Sequence, residues 1–195
     1  AMIMNWKKTA IIGTAAIGAA LLFAGCGGSG NEQAASDGKP TKIIAGLDDT
    51  FAPMGFRDDK GQLVGFDIDM AKAISKETGV DIEFKPIDWS SKETELNSGR
   101  IDCIWNGLTM TPERKQKMDF TNPYMNNHQV YVVLKDSPIQ SAEQLKGKNL
   151  CGQEGSTGEA AIEANANLKN SFKDFKLYPD FTSCYMDLDA KRMDA

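Results

Sequence analysis

The feature that most limits the fold is an alternation of short β-branched runs with helical patterns after residue 41. The runs "KIIAGL" (42–47), "VDIEFKPI" (80–87) and "IDCIW" (101–105) predict strands. The segment "FDIDMAKAISKETG" (66–79) has apolar residues at helical spacing. A strand-helix-strand-helix-strand order favours an α/β domain with a largely parallel sheet.

Local signals mark the ends of the helices in this alternation. Gly79 follows the first helical pattern and predicts its C-cap. Ser90 and Glu93 have the spacing of a capping box, which predicts the start of a second helix that ends at Gly99. These signals place two helices between the three predicted strands.

Residues 1–25 have the pattern of an export signal. Two lysines precede an uncharged apolar stretch over residues 9–24, which is too short to cross a bilayer as a helix. The small residues before Cys26 resemble the bacterial lipobox, in which the cysteine becomes the lipid-bearing N-terminus, although Phe23 stands where leucine is commonest. A plain signal peptide with an incidental cysteine is the alternative.

The rest of the chain begins with a polar segment and is acidic. Residues 26–41 are rich in glycine and polar groups, which predicts a flexible tether. The chain has 22 Lys and Arg against 27 Asp and Glu, and two of the lysines fall in the export signal. Because the exported part contains no basic run, we expect neither nucleic acid nor anionic lipid as a partner.

The cysteines and the histidine argue against a metal site. Cys103, Cys151 and Cys184 follow Cys26 without a C-x-x-C pair, and His128 is the only histidine. We therefore expect no zinc site and no other bound metal. In an exported chain Cys151 and Cys184 could form a disulfide, and three apolar free cysteines are an equal alternative.

Loops at the carboxyl ends of parallel strands are where α/β sheets bind ligands, and three such loops carry distinctive side chains. Asp48, Asp49 and Phe51 follow the first predicted strand. Trp89 follows the second strand, and "NGLTMTPERK" (106–115) follows the third. Taken singly, Phe51 and Trp89 could simply pack at the core or its rim. Their placement in equivalent loops favours a shared pocket.

The segment 106–115 contains an arginine in an unfavourable place for a cation. Thr111 and the proline after it predict a helix N-cap and first turn, so Arg114 lies where the helix dipole disfavours positive charge. With the hydroxyl of Thr109 and the backbone amides around Gly107, its guanidinium could form a carboxylate receptor. A solvated surface arginine is the alternative.

The glycine-rich segment after residue 151 does not match a phosphate-binding loop. Gly152, Gly155 and Gly158 have the wrong spacing for a dinucleotide fingerprint, and no Walker lysine follows them. Ser156 and Glu159 form a capping-box pattern, which predicts a helix start whether or not a ligand binds there. We therefore expect no cofactor.

Five segments follow one another between Lys42 and Ala195: "GLDDTFAPMGF", "GQLVGFDIDMAKAI", "ELNSGRIDCIWNGLTMTPERKQKMDFTNPY", "LKGKNLCGQEGSTGE" and "DLDAKRMDA". In this order they resemble the solute-binding proteins of polar amino-acid ABC transporters, whose two lobes close on one amino acid. The resemblance implies a two-lobed periplasmic-binding-protein-like fold of type 2. Each lobe would be a mainly parallel sheet flanked by helices.

The resemblance also implies roles for individual residues in the first lobe. The position of Arg114 pairs with the α-carboxylate of the ligand, helped by the hydroxyl at Thr109. The positions of Asn106 and Gly107 supply backbone contacts in the same pocket.

Further ligand-facing positions follow from the same resemblance. Phe51 would stack on the ligand side chain, Trp89 would form another wall, and Asp48 would read the polar end of the side chain. In the second lobe the implied ligand-facing residues are Gln153, Ser156 and Thr157.

The resemblance divides the chain into a first lobe over 42–124, a hinge crossover over 125–130 and a second lobe over 131–195. Members of the family continue well beyond the last residue here. We therefore expect the second lobe to be incomplete and the C-terminal part of the fold to be missing, with the acid that pairs with the ligand's α-ammonium lying beyond Ala195.

The implied function is a monomeric, lipid-anchored extracytoplasmic receptor that captures a polar amino acid and delivers it to an ABC permease. Glutamine and basic amino acids are the favoured ligands, because Asp48 and Asp49 offer acceptors. Two alternatives remain at this stage: the sensor domain of a membrane receptor, and an enzyme of the same fold such as a dehydratase or lyase. In the matched loops only Glu154 and Asp48 could serve such an enzyme as general acid.

Overall fold

A computed structural model describes the backbone of residues 2–4 and all of residues 38–195. Apart from residues 2–4, the export signal expected over 1–25 lies outside the described residues. Cys26 and the expected tether up to residue 37 lie outside them as well. Among the described residues, no helix is long and apolar enough to span a bilayer.

The described residues contain nine strands and six α-helices. The strands are β1 (Met2–Met4), β2 (Lys42–Leu47), β3 (Thr50–Phe51), β4 (Gly55–Arg57), β5 (Leu63–Val64), β6 (Asp81–Pro86), β7 (Cys103–Trp105), β8 (Asn149–Gln153) and β9 (Asp174–Tyr178). The helices are α1 (Phe66–Thr78), α2 (Lys92–Asn97), α3 (Pro112–Lys115), α4 (Thr157–Glu163), α5 (Ala166–Ser171) and α6 (Phe181–Asp189). Two 3₁₀ turns occupy Trp89–Ser91 and Ala142–Leu145.

The first lobe is built on a sheet with the strand order β1-β7-β2-β6. Strand β2 pairs in parallel with β6, from Lys42 opposite Asp81 to Leu47 opposite Pro86, and in parallel with β7. Only β1 runs antiparallel, against β7. The three strands predicted from β-branched runs are confirmed, and the sheet is mainly parallel as expected.

Helix α1 follows the sequence pattern closely. It begins at Phe66, and Gly79 closes it in the left-handed conformation with φ 72°. Its residues Asp67, Ile68 and Ala71 are buried, and Ala71 belongs to a core cluster with Ala45 and Trp105 of the sheet. The helical periodicity therefore predicted both the element and its end.

The start of the second helix was predicted wrongly. The Ser90–Glu93 capping box does not form, because Asp88 caps a 3₁₀ turn instead and its carboxylate accepts hydrogen bonds from the backbone N–H of Ser90 at 3.0 Å and from its hydroxyl at 2.7 Å. Helix α2 then begins at Lys92, with Gly99 just beyond its end. The Asp88 carboxylate binds the Ser90 amide that the Glu93 side chain would bind in a capping box, and Glu93 forms an ion pair with Lys117 instead.

A small antiparallel sheet, in the order β3-β4-β5, lies between β2 and α1 in the chain. Thr50 pairs with Phe56 and Phe51 with Gly55, so the sheet holds Phe51 immediately after the carboxyl end of β2. This arrangement fixes an aromatic ring at the edge where the ligand loops meet.

The second lobe has its own parallel sheet and its own core. Strands β8 and β9 pair in parallel from Asn149 opposite Asp174 to Gln153 opposite Tyr178. The apolar core of this lobe includes Leu150 and Ile162 and is separate from the core clusters of the first lobe. The described chain is therefore a two-lobed α/β protein, as the sequence predicted.

A disulfide joins Cys151 in β8 to Cys184 in α6, with 5.9 Å between their Cα atoms. Cys103 is a free, buried thiol in β7, and burial raises its pKa to about 12. Of the two alternatives that the sequence left open, the structure has the disulfide.

We expect loss of this disulfide to destabilise the second lobe. Replacing both Cys151 and Cys184 with alanine removes a link between residues 33 apart in the chain, which should lower the free energy of unfolding by about 2–4 kcal/mol. Urea unfolding with and without reductant measures this. The double variant is the control, since reductant should not change its stability. Alkylation of both cysteines in the unreduced wild-type protein would contradict the pairing.

Candidate ligand-binding site

The ligand loops of the two lobes face each other across a cavity of about 370 Å³. Both lobes contribute to its wall, and so does the crossover between them. The cavity brings together nine of the residues expected to bind ligand: Phe51, Trp89, Asn106, Gly107, Thr109, Arg114, Gln153, Ser156 and Thr157.

Arg114 is held in the cavity wall by the short helix α3. The hydroxyl of Thr111 accepts a hydrogen bond from the backbone N–H of Arg114 at 3.1 Å, which confirms the predicted N-cap. The guanidinium is buried and donates to the carbonyl of Thr109 at 2.9 Å and to that of Gly155 at 3.2 Å. The arginine is thus not the solvated surface residue that was the alternative.

The charge of Arg114 has no anionic partner in the described part of the chain. No ion pair within residues 38–195 includes it. Burial lowers the pKa of the guanidinium, and the charge of Glu93 opposes that effect. A buried cation that contacts only carbonyl oxygens is poorly compensated, so this side of the cavity suits an anionic group.

Two side-chain amides from the crossover donate hydrogen bonds to the threonine hydroxyls of the cavity. These amides were not predicted from the sequence. Asn127 Nδ2 donates to Thr109 Oγ1 at 2.6 Å, and Gln129 Nε2 donates to Thr157 Oγ1 at 2.7 Å. His128 lies between them and also lines the cavity. No motif marks this segment, and its residues reach the site only because the chain passes from one lobe to the other there.

Aromatic rings form another wall. Phe51 stacks on Phe181 of α6, with 6.2 Å between the ring centroids and 30° between the planes, and Trp89 is almost fully buried beside the cavity. Phe181 was not predicted. The Asp180 cap after β9 marks a helix start at the carboxyl end of a strand, and this signal could have placed Phe181 in the cleft.

Asp48 does not line the cavity. Its Oδ2 accepts a hydrogen bond from Gln153 Nε2 at 2.9 Å, and its Oδ1 accepts hydrogen bonds from the backbone N–H and the hydroxyl of Thr50 at 2.9 and 2.6 Å. Its neighbour Asp49 forms an ion pair with Arg57. The buried carboxylate of Asp48 therefore lies behind Gln153, one side chain away from the cavity.

The start of α4 forms only half of the predicted capping box. Ser156 Oγ accepts a hydrogen bond from the backbone N–H of Glu159 at 3.1 Å, as expected. The Glu159 carboxylate instead accepts from the backbone N–H of Gly155 at 2.5 Å. Glu154 beside it is exposed and does not line the cavity.

A buried hydrogen-bonded cluster supports the loop that carries Asn106. Tyr124 Oη lies 2.8 Å from Asp67 Oδ1 and 3.0 Å from the carbonyl oxygen of Asn106. The Tyr124 hydroxyl has one proton, which it can donate to either of these two acceptors. Asp67 is fully buried, and burial raises the pKa of its carboxyl, while the bond from Tyr124 opposes that rise.

The described chain has two lobes with parallel sheets, and a crossover joins them beside the cavity. This is the architecture of a two-lobed binding protein. Residues 43–192 match the model of the bacterial extracellular solute-binding proteins, family 3. The chain belongs to this family.

Several relatives and solved structures are similar to this chain. It is 38% identical over 161 residues to a probable histidine-binding protein of Neisseria gonorrhoeae, covering 82% of this chain and 59% of the relative. It is 38% identical over 130 residues to the arginine-binding extracellular protein ArtP of Bacillus subtilis, covering 67% and 51%. The chain thus spans less than two thirds of the length of these relatives.

Among solved structures, the chain is similar to an ABC uptake transporter substrate-binding protein from Streptococcus pneumoniae with bound histidine. The TM-score is 0.75 at 44% identity, covering 79% of this chain and 64% of that one. An ancestral arginine-binding protein bound to arginine superposes with a TM-score of 0.73 at 41% identity, covering 79% and 68%. These neighbours are two-lobed amino-acid-binding proteins, in agreement with the fold described above.

We expect the raised pKa of Asp67 to make stability depend on pH. A carboxyl with a raised pKa stabilises the folded state at low pH, and this contribution is lost as the pH rises through the folded-state pKa. Asp67→Asn removes the titrating group, so its free energy of unfolding relative to wild type should increase from pH 4 to pH 7.

Urea unfolding at several pH values measures this dependence. The exposed Asp69 on the same helix offers the matched control Asp69→Asn, for which little change is expected. A difference between Asp67→Asn and wild type that stays constant over this pH range would contradict the assignment.

Proposed function

We propose that this protein is the substrate-binding component of an ABC importer, which captures a polar amino acid between its lobes and delivers it to a membrane permease. The observation that carries the proposal is the buried guanidinium of Arg114, whose hydrogen bonds within the described residues go to the carbonyls of Thr109 and Gly155. A ligand carboxylate would supply the missing anion and could be held by two parallel hydrogen bonds.

The position of the site supports capture by closure. Arg114, Phe51 and Trp89 belong to the first lobe, while Ser156 and Thr157 belong to the second, and all of them line one cavity. A ligand that contacts both lobes favours the closed arrangement by its differential affinity for the two states. We propose that the chain itself carries out no reaction, and the relatives named above are binding proteins for histidine and arginine.

The location follows from the N-terminal pattern and the family. Family membership implies an extracytoplasmic protein. We propose that an export signal over residues 1–25, which includes β1, is removed, so that the sheet of the first lobe would then consist of β7, β2 and β6. A lipid on Cys26 would anchor the protein to the membrane, with residues 26–41 as tether. The first lobe would comprise residues 42–124, the crossover 125–130 and the second lobe 131–195, in a monomer.

We propose that the ligand is a neutral polar or basic amino acid, such as glutamine, arginine, lysine or histidine. The aromatic walls of Phe51 and Phe181 suit a flat or long side chain. The buried carboxylate of Asp48 lies behind Gln153 and adds negative charge beside the cavity, which disfavours an acidic ligand side chain.

Arg114→Ala should weaken amino-acid binding by two to four orders of magnitude. The substitution leaves the ligand carboxylate buried without its partner, at a cost of about 3–5 kcal/mol. Arg114→Lys should lose nearly as much, because an ammonium cannot reproduce the two-pronged contact. Calorimetric titration of the protein expressed from its complete gene, without the export signal, measures both.

The exposed Arg100, which pairs with Glu95, gives the control variant Arg100→Ala. It should bind like wild type. A loss of less than about tenfold for Arg114→Ala would contradict the assigned role of Arg114.

A thermal-shift screen of free amino acids tests the ligand class on the same protein. A ligand at 100 times its Kd stabilises the folded state by about 2.7 kcal/mol, so the true ligand should give a clear rise in Tm. We expect the largest rise with glutamine, arginine, lysine or histidine. If glutamate or aspartate gives the largest rise, the influence assigned to Asp48 is wrong.

A further inference from the structure

A second buried cation lies beside Arg114, at the first residue of α2. Lys92 is 4% exposed, and its Nζ donates to the carbonyl of Trp89 at 3.2 Å and to that of Gly155 at 2.9 Å. The same nitrogen lies 4.9 Å from the centroid of the Trp89 ring. Within residues 38–195, Lys92 forms no ion pair either.

The two cations of the first lobe therefore converge on one carbonyl of the second lobe. Gly155 O accepts hydrogen bonds from Lys92 Nζ and from Arg114 Nη2. On the other side of this residue, the backbone N–H of Gly155 donates to Glu159. Every hydrogen-bonding group of Gly155 thus has a charged partner, and hydrogen bonds to charged groups are stronger than those between neutral ones.

The geometry of Gly155 shows how closely the two lobes approach each other here. Its φ of 75° lies in the left-handed region, and a Cβ at this position would come within 3.1 Å of Ser90 Cα. Only a glycine avoids both the backbone strain and this contact. The loop before α4 therefore rests directly on the turn before α2.

Burying an ammonium has a cost that these contacts must offset. The pKa of Lys92 is lowered to about 8, mainly by burial and also by the charge of Arg114, while the carboxylates of Glu93 and Glu159 oppose the decrease. The charge of Lys117 adds a smaller decrease. Because Lys92 is not part of the cavity wall, its effect on a ligand has to pass through the residues that it holds.

We propose that Lys92 is a positioning residue that fixes the Gly155 loop of the second lobe against the first lobe, and thereby holds Ser156 and Thr157 over Arg114 in the ligand-binding form. The inference rests on the proposed function of the cavity. It assigns Lys92 to closure of the two lobes and leaves recognition of the ligand side chain to other residues. Its loss should therefore weaken all ligands alike.

Binding measurements with L-histidine, L-arginine and L-glutamine test this role in the protein expressed from its complete gene, without the export signal. Lys92→Met keeps the length and apolar stem of the side chain but removes the hydrogen bonds of the ammonium. It should weaken each amino acid that binds by about tenfold or more, by a similar factor for each, with faster dissociation. Lys92→Arg should recover part of the loss, because it keeps a cation and donors.

Two further variants make the test specific. Lys72→Met, on an exposed position of α1, should stay within about twofold of wild type. Gly155→Ala should weaken binding as Lys92→Met does, and the double variant should lose less than the two single losses combined, since both act on one contact. Lys92→Met with affinity and dissociation rate within about twofold of wild type would overturn the proposal.

Lysine side-chain NMR with a saturating amino acid separates this inference from the proposed function. An ammonium buried against two carbonyls exchanges its protons slowly, so the ligand-bound wild-type protein should show a protected lysine side-chain signal that Lys92→Met lacks and Lys72→Met keeps. Binding without that signal in wild type would overturn the proposed contact. Failure of all amino acids to bind would instead overturn the proposed function.

Discussion

The buried guanidinium of Arg114 requires the rest of the cleft to supply polar partners for its charge. Its charge is removed from water and contacts only carbonyl oxygens in the described chain. Such a charge is tolerated when the folded protein supplies polar partners and when an anion can complete them. The short helix α3, capped by Thr111, holds the arginine there.

The two sheets explain why such a site forms between the lobes. Strands β2, β6 and β7 end at one edge of the first lobe, so their loops bring Phe51, Trp89 and Asn106 to one place. Strands β8 and β9 do the same for the second lobe, where the disulfide ties α6 to β8. Each lobe has its own apolar core, and the contacts between lobes near the cavity are polar or aromatic. This division suits two bodies that close on a ligand.

The buried polar groups around the cavity differ in the hydrogen-bond partners that offset their loss of hydration. Asp48 accepts hydrogen bonds from Thr50 and Gln153, so its carboxylate is well solvated by the protein. Asp67 is fully buried and accepts a hydrogen bond from the hydroxyl of Tyr124, and burial raises the pKa of its carboxyl. Lys92 and Arg114 both donate hydrogen bonds to the carbonyl of Gly155. The second lobe therefore supplies an acceptor that both buried cations of the first lobe need.

Sequence by itself determined the main elements of the first lobe and most of its ligand loops. Periodicity located α1 and the strands β2, β6 and β7, and the cap at Thr111 located Arg114, because these signals act within a few residues. Only the tertiary structure decided which side chains meet across the cleft. Asn127 and Phe181 reach the cavity, and Lys92 reaches the Gly155 loop beside it, through contacts between segments far apart in the chain. Local patterns carry no information about such contacts. Lys92 is a cation at the first residue of a helix, where the helix dipole disfavours positive charge, and this much is visible locally. Its burial, however, depends on the second lobe lying against it.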